Sequence, residues 1–256
     1  MFRAEYDAVC NAAAGKLKLL KTNPLGYFIS SMVAGMFIAF GSFVSMTIGG
    51  FLTAAGSDLI KFFVPFTFAA ALSLVVMAGC ELFTGNNLVM GAASIEGKIP
   101  WMETIKLWIV CYLGNLAGSW LLVLLFQLSD ICGNPDVAGF FASTSASKMA
   151  LTPMAQLFRG ILCNICVCLA VWCATKLKSE SGKLIMITWC ILVFMVCGFE
   201  HSVANMSILG VGLLNPGEQL ITVGGYVQNL VFVTIGNLIG GVCFVALPYH
   251  FIAKEK

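Results

Sequence analysis

The sequence predicts an all-α membrane protein: six transmembrane helices in two inverted three-helix repeats, with spans two and five broken. Three observations predict it. The composition is too apolar for water, the apolar residues fall into six segments with lopsided positive charge, and a pair of motifs occurs twice in the same order. Hydrophobic residues make up 59% of the 256 and charged residues 10%, against about 25% charged in a soluble domain. A surface that poor in charge is solvated by lipid. The net charge of +2, with no basic stripe interleaved with aromatics, excludes a nucleic-acid surface.

Taken in order, residues 1–25 lack the short apolar run and small-residue cleavage site of a signal peptide. They read as a cytoplasmic amphipathic helix lying against the membrane, with Lys16, Lys18 and Lys21 near its end. Six apolar segments follow, near 26–52, 59–93, 101–128, 155–177, 184–213 and 225–253. Together they form a single pore domain over 26–253, divided into repeats near 26–128 and 155–253, before a short tail at 254–256. With six spans both termini share one side. That side holds every Lys and Arg except Lys61, Lys148 and Arg159. The positive-inside rule then places both termini in the cytoplasm, and the protein in the inner (cytoplasmic) membrane as a multi-pass chain. Segments two and five exceed one span, and each contains Gly, Asn and Glu.

The repeat is read from two motifs. Residues 79–86 are Gly-Cys-Glu-Leu-Phe-Thr-Gly-Asn and residues 198–205 are Gly-Phe-Glu-His-Ser-Val-Ala-Asn, both G-x-E-x-x-x-x-N. Gly114-Asn115-Leu116-Ala117-Gly118 follows the first, and Gly236-Asn237-Leu238-Ile239-Gly240 the second. A unit of three spans enters the membrane from the opposite side when duplicated. That is the inverted-repeat plan of channels and transporters, with a site near the midplane.

Irregular backbone at membrane depth is tolerated only where protein or a watery cavity satisfies it. The glycines could merely kink packed helices, but their recurrence at matched positions favours designed breaks. His201, inside a span, is an intramembrane ionisable residue and a proton-exchange candidate. Glu81 and Glu200 are read as hydrogen-bond acceptors that hold the breaks open, in preference to a proton relay, with Asn86 and Asn205 serving the same loops. The Gly-x-x-x-Gly pairs are read as close-packing positions, with their asparagines as further support. The eleven cysteines, including the Cys163/Cys166 pair, are read as small apolar packing residues. No metal, cofactor or catalytic set is expected.

At these residues the sequence resembles the formate/nitrite transporter family. The carriers are Glu-Leu-Phe-Thr-Gly-Asn at 81–86, Gly-Phe-Glu-His-Ser-Val-Ala-Asn-Met at 198–206, Gly-Asn-Leu-Ile-Gly-Gly at 236–241, and Asn164 with Cys-Leu-Ala-Val-Trp at 168–172. The resemblance covers nearly the whole chain and is placed closest to the family's hydrosulfide branch. It implies an aquaporin-like fold, a homopentamer with one pore per protomer, and a chamber between two hydrophobic constrictions. Thr84 and His201 match the chamber residues, and Lys148 the lysine that attracts the anion. Phe68, Leu72, Leu82 and Phe194 match constriction positions, unassigned to either constriction. Asn164 joins Glu81, Asn86, Glu200 and Asn205 as support for the broken helices. The implied cargo is formate, nitrite or hydrosulfide. A compact stretch at 214–224 departs from formate-type members and counts against formate.

The expected function is a channel for a small monovalent anion, with proton exchange at His201. A proton-coupled secondary transporter is the alternative, since it uses the same architecture. A membrane redox enzyme would need a bound metal or cofactor, and a neutral-solute pore sits poorly with the Lys148 and His201 pair.

Overall fold

A computed structural model describes residues 1–254; Lys256, counted above with the cytoplasmic tail 254–256, lies outside the described residues. The helices are α1 (Arg3–Thr22), α2 (Pro24–Ala54), α3 (Ile60–Ala78), α4 (Phe83–Ile95), α5 (Trp101–Leu128), α6 (Pro135–Met149), α7 (Pro153–Lys176), α8 (Glu180–Val196), α9 (Ser202–Leu214) and α10 (Val223–Gly241). A π-helical turn at Val242–Ala246 joins α10 to α11 (Leu247–Ala253). Among the described residues there is no strand.

The chain writes many helix starts into its own sequence. Asn23, Thr152, Ser179 and Thr222 each accept a hydrogen bond from the backbone N–H three residues on, capping α2, α7, α8 and α10. Pro24 and Pro153 then occupy the first helical position, where no N–H is needed. Five helical runs are long and apolar enough to cross a membrane: α2, α3, α5, α7 and the α10–α11 run Val223–Ala253. Large apolar side chains such as Phe40, Leu124, Leu125 and Ile235 lie exposed on them, as a lipid-facing surface requires.

Segments two and five each resolve into two helices, α3 with α4 and α8 with α9. Both α4 and α9 have 13 residues, too few to span a bilayer of about 30 Å at 1.5 Å per residue. They are apolar nearly all round, and such helices belong inside a protein. Phe83 to Ser94 and Ser202 to Gly212 are accordingly buried without a gap. Around them α2 packs on α5 and α7 on α10 at backbone distance. A Cβ at Gly114 or Gly118 would strike Ser31 or the Met32 carbonyl, and one at Gly236 or Gly240 would strike the Leu157 or Ile161 carbonyl. The Gly-x-x-x-Gly pairs are packing positions, as read from the sequence.

Helix α1 departs from the expected membrane-surface helix, because the protein itself covers its apolar face. Tyr6, Val9, Cys10 and Ala13 are buried against neighbours that include α4, α2 and α7. Its polar face is tied down by ions. Arg3 donates to Asp7 and to Glu96, the latter at 2.7 Å; Lys98 reaches Asp7 at 2.8 Å, and His250 lies 2.8 Å from Glu96. Hydrogen bonds from Lys98 and Arg3 hold Asp7 below its ordinary carboxylate value. Partial burial opposes ionisation of Glu96, yet Arg3 and His250 together hold it low as well. Groups lowered in the folded state contribute stability above their unfolded pKa and lose it as pH falls through the folded value. Docking of α1 should therefore weaken as pH falls below about 4. Hydrogen exchange across residues 6–13 checks this; equal protection at pH 7 and pH 3 would contradict it.

Candidate functional site

The two breaks share one backbone plan. Gly79 and Gly198 end α3 and α8 in the left-handed conformation, with φ of 77° and 68°. The next residue then closes the helix end: Cys80 N donates to Val75 O at 3.1 Å, and Phe199 N to Phe194 O at 2.9 Å. Left-handed glycine with this closure is a common helix stop. The extended backbone of Leu82 and His201 restarts the chain as α4 and α9.

One asparagine from a neighbouring helix pairs the backbone at each break. Asn115 Oδ1 accepts from Phe83 N at 2.9 Å, while its Nδ2 donates to Ser31 O at 2.7 Å and Glu81 O at 2.9 Å. Asn237 Oδ1 accepts from Ser202 N at 2.9 Å, while its Nδ2 donates to Gly160 O at 2.8 Å and Glu200 O at 3.1 Å. The first segment of each half enters the same register: Ser30 O accepts from Glu81 N, and Arg159 O from Glu200 N. That correspondence is weak in sequence.

The carboxylates are buried and paired. Asn86 Nδ2 donates to Glu81 at 2.9 Å, and Asn205 Nδ2 to Glu200 at 2.6 Å. Lys148, in the last turn of α6, donates to Glu200 at 2.8 Å. Lys16, on α1, donates to Glu81 at 2.7 Å. Sequence reasoning found Lys148 but placed Lys16 only on a surface helix; it read Asn115 and Asn237 as support for the breaks without saying which groups they pair.

Thr84 and His201 meet where the two short helices start. His201 Nε2 lies 3.0 Å from Thr84 Oγ1, and His201 Nδ1 accepts the Ala204 N–H at 3.0 Å. A backbone N–H only donates, so Nδ1 carries no proton and the ring hydrogen sits on Nε2, pointing at Thr84. Both residues are buried. Asn164 Nδ2 lies 3.3 Å from Thr84 O and 2.7 Å from Asn237 O, bridging the halves. Register places Leu82 opposite His201 and Thr84 opposite Val203, so this contact has no twin.

Two cavities flank that contact. One, of about 350 Å³, is lined by Phe68, Phe194, Lys148, Arg159, Glu200 and His201 among others. The other, of about 330 Å³, is lined by Leu72, Leu82, Lys16, Glu81 and Asn86 among others. The four apolar candidates therefore divide two and two. Phe194 packs edge-on against Phe68, with centroids 6.0 Å apart, and lies nearly parallel to the His201 ring at 6.1 Å. Among the described residues all eleven cysteines are free, and no three His, Cys, Asp or Glu side chains cluster to hold a metal.

Apolar helices of spanning length, two interior helix breaks and a buried polar contact between two cavities define a multi-pass helical membrane protein of the transport class. The chain belongs to the formate/nitrite transporter family: the family model described as formate/nitrite transporter matches residues 3–251. It is 33% identical over 247 residues to the nitrite transporter NirC of Escherichia coli (strain K12), covering 96% of this chain and 91% of that one. Its fold superposes on a solved FNT family ion channel with a TM-score of 0.90 at 31% identity, over 98% of this chain and 99% of that one. A pentameric formate channel with formate bound gives 0.76 at 28% identity, over 89% and 96%.

Proposed function

We propose that the protein is a transmembrane channel for a small monovalent anion of a weak acid, in the class of hydrosulfide, formate and nitrite. The observation that carries this reading is the buried Thr84–His201 contact between two cavities, each holding one lysine on one glutamate. Relatives named for nitrite and formate support the ligand class. In this reading α3–α4 and α8–α9 each make one interrupted crossing. With α2, α5, α7 and α10–α11 they form six crossings in two inverted three-helix repeats. The α1 side and both termini face the cytoplasm, the membrane is the inner one, and five copies assemble, as in the pentameric relative, each copy carrying its own pore.

Each lysine attracts the anion at contact range inside its mouth, and the partner carboxylate, which cancels that charge at a distance, keeps the anion from being held there. Phe68 with Phe194, and Leu72 with Leu82, form the two constrictions. Shedding water from a bare anion costs several kcal/mol, by order of magnitude, and a neutral acid escapes most of that. A proton placed on His201 Nδ1 would displace the Ala204 N–H, so exchange with the anion runs through water. His201 Nε2–H holds the Thr84 hydroxyl, whose own hydrogen is then presented to the anion. Glu81, Glu200, Asn86, Asn164 and Asn205 keep the breaks in shape.

The test is flux in proteoliposomes for formate, nitrite, hydrosulfide, acetate and chloride across pH. At least one weak-acid anion should pass saturably, with chloride about tenfold slower or less, a barrier difference of about 1.4 kcal/mol. Uphill accumulation driven by a proton gradient would replace the channel with a proton-coupled secondary transporter. Absence of flux for every anion would overturn both.

A further inference from the structure

The two cavities differ in charge. Among the described residues the one beside α1 holds Lys16 and Glu81, paired at 2.7 Å, and no other charged side chain. The other holds Lys148 paired with Glu200 at 2.8 Å, and also Arg159. Arg159 occupies the register position of Ser30 in the first half, since Arg159 O and Ser30 O accept from the matched Glu200 and Glu81 amides. Among the described residues Arg159 pairs with no carboxylate. Its Nη1 donates to Gly198 O at 3.2 Å, and its Nε and Nη2 donate to no protein acceptor. The paired lysine and glutamate cancel at a distance, so Arg159 is the charge this mouth has left over.

We propose that Arg159 is the anion-recognition residue of the mouth remote from α1, and that its ligands are planar two-oxygen anions of the carboxylate and nitrite class. The proposal rests on the reading that a small anion passes through this protein. A guanidinium offers parallel N–H groups along one edge, which match two oxygens of a planar anion. An anion with a single acceptor atom, such as hydrosulfide or chloride, meets the same edge with one contact at a time and gains only the point charge. The cleft adds to the preference, because apolar walls such as Phe68, Phe140 and Phe199 focus the field of a charge set among them. Arg159 itself is exposed to the cavity, so its pull on any anion is screened by salt over about 8–10 Å. The other mouth has Ser30 at the matching position and should show no such preference.

The experiment measures initial rates against concentration in proteoliposomes for wild type, Arg159→Gln and Arg159→Lys, with formate, nitrite and hydrosulfide. In Arg159→Gln the half-saturating concentrations of formate and nitrite should rise about tenfold, the loss of one charge-assisted bond, with hydrosulfide shifted about threefold or less. Arg159→Lys keeps the charge but not the edge, so it should restore hydrosulfide and leave formate and nitrite weak. Equal shifts for all three anions, fully reversed by lysine, would overturn planar recognition. Unchanged rates in both variants would remove Arg159 from the path altogether. Lysine serves as the second variant should glutamine impair assembly. A wild type that carries none of the three anions would sink the channel reading instead, and so separates the two failures.

Discussion

Replacing His201 with Asn should leave α9 capped but reduce anion flux by about tenfold or more, while His201→Phe should lose both the flux and part of the stability. The imidazole has two separable tasks. Its Nδ1 caps α9 by accepting the Ala204 N–H, and its Nε2 holds Thr84 Oγ1 across the interface between the halves. Asparagine is among the best capping residues, so it keeps the first task, but it is too short to reach Thr84. Phenylalanine keeps neither, and its lost cap should cost about 1 kcal/mol. Without the Nε2–H the buried Thr84 hydroxyl is no longer held toward the anion, and its hydrogen bond to that charged ligand is worth about 1.5–3 kcal/mol. That corresponds to roughly tenfold or more in rate. In His201→Asn the remaining pH dependence should follow only the protonation of the free acid in bulk water. Thr84→Ala should show the same loss through the other partner. Flux assays on reconstituted protein across pH decide the matter: rate, selectivity and pH profile all unchanged in both His201→Phe and Thr84→Ala would end the chamber reading.

The second large effect is structural. Asn237→Leu should lower the melting temperature of the purified protein by roughly 10 °C, and Asn115→Leu should do the same. Asn237 satisfies three buried backbone groups at once, the Ser202 N–H and the Gly160 and Glu200 carbonyls. Leucine has the same branched outline, though it is bulkier, and pairs with none of them. Each group left unpaired costs about 1–3 kcal/mol. About 3 kcal/mol or more would then be lost, and each kcal/mol is worth about 2–4 °C in a chain this size. Asn237→Asp keeps the acceptor for Ser202 N–H but turns a carboxylate oxygen on the Gly160 and Glu200 carbonyls, so it should lose at least as much as leucine. A thermal unfolding midpoint for Asn237→Leu within experimental error of wild type would show that water or movement of α10 replaces the side chain.

The helix breaks were legible because their causes are local. Gly79 and Gly198 stop helices through a backbone conformation that glycine adopts freely. Glu81 with Asn86, and Glu200 with Asn205, sit five residues apart and bond within their own break. A repeated local solution leaves a repeated local motif. The interruption of segments two and five, their burial and the glycine contacts all followed from that pattern. The partner of Glu81 did not. Lys16 is 65 residues away on a helix whose amphipathic face suggested a lipid surface, and its part emerges only once α1 is docked on α4. Asn115 and Asn237 read as support for the breaks from the motif, but nothing in a Gly-Asn-Leu-x-Gly string says which backbone groups the amide pairs.

The sequence by itself determined the solvent, the helices, the two breaks and the residues around them. Hydropathy, helix caps and left-handed glycines act within a few residues, so the string carries them directly. Only the tertiary structure decided which groups meet. It joined Thr84 of one half to His201 of the other, and it set the ring hydrogen on Nε2 by pressing the Ala204 N–H against Nδ1. It also divided Phe68 and Phe194 from Leu72 and Leu82, and set Arg159 in one cavity with no carboxylate partner among the described residues. These are contacts of a few ångströms between residues far apart in the chain. Their distances depend on how whole helices pack, and local pattern does not contain that.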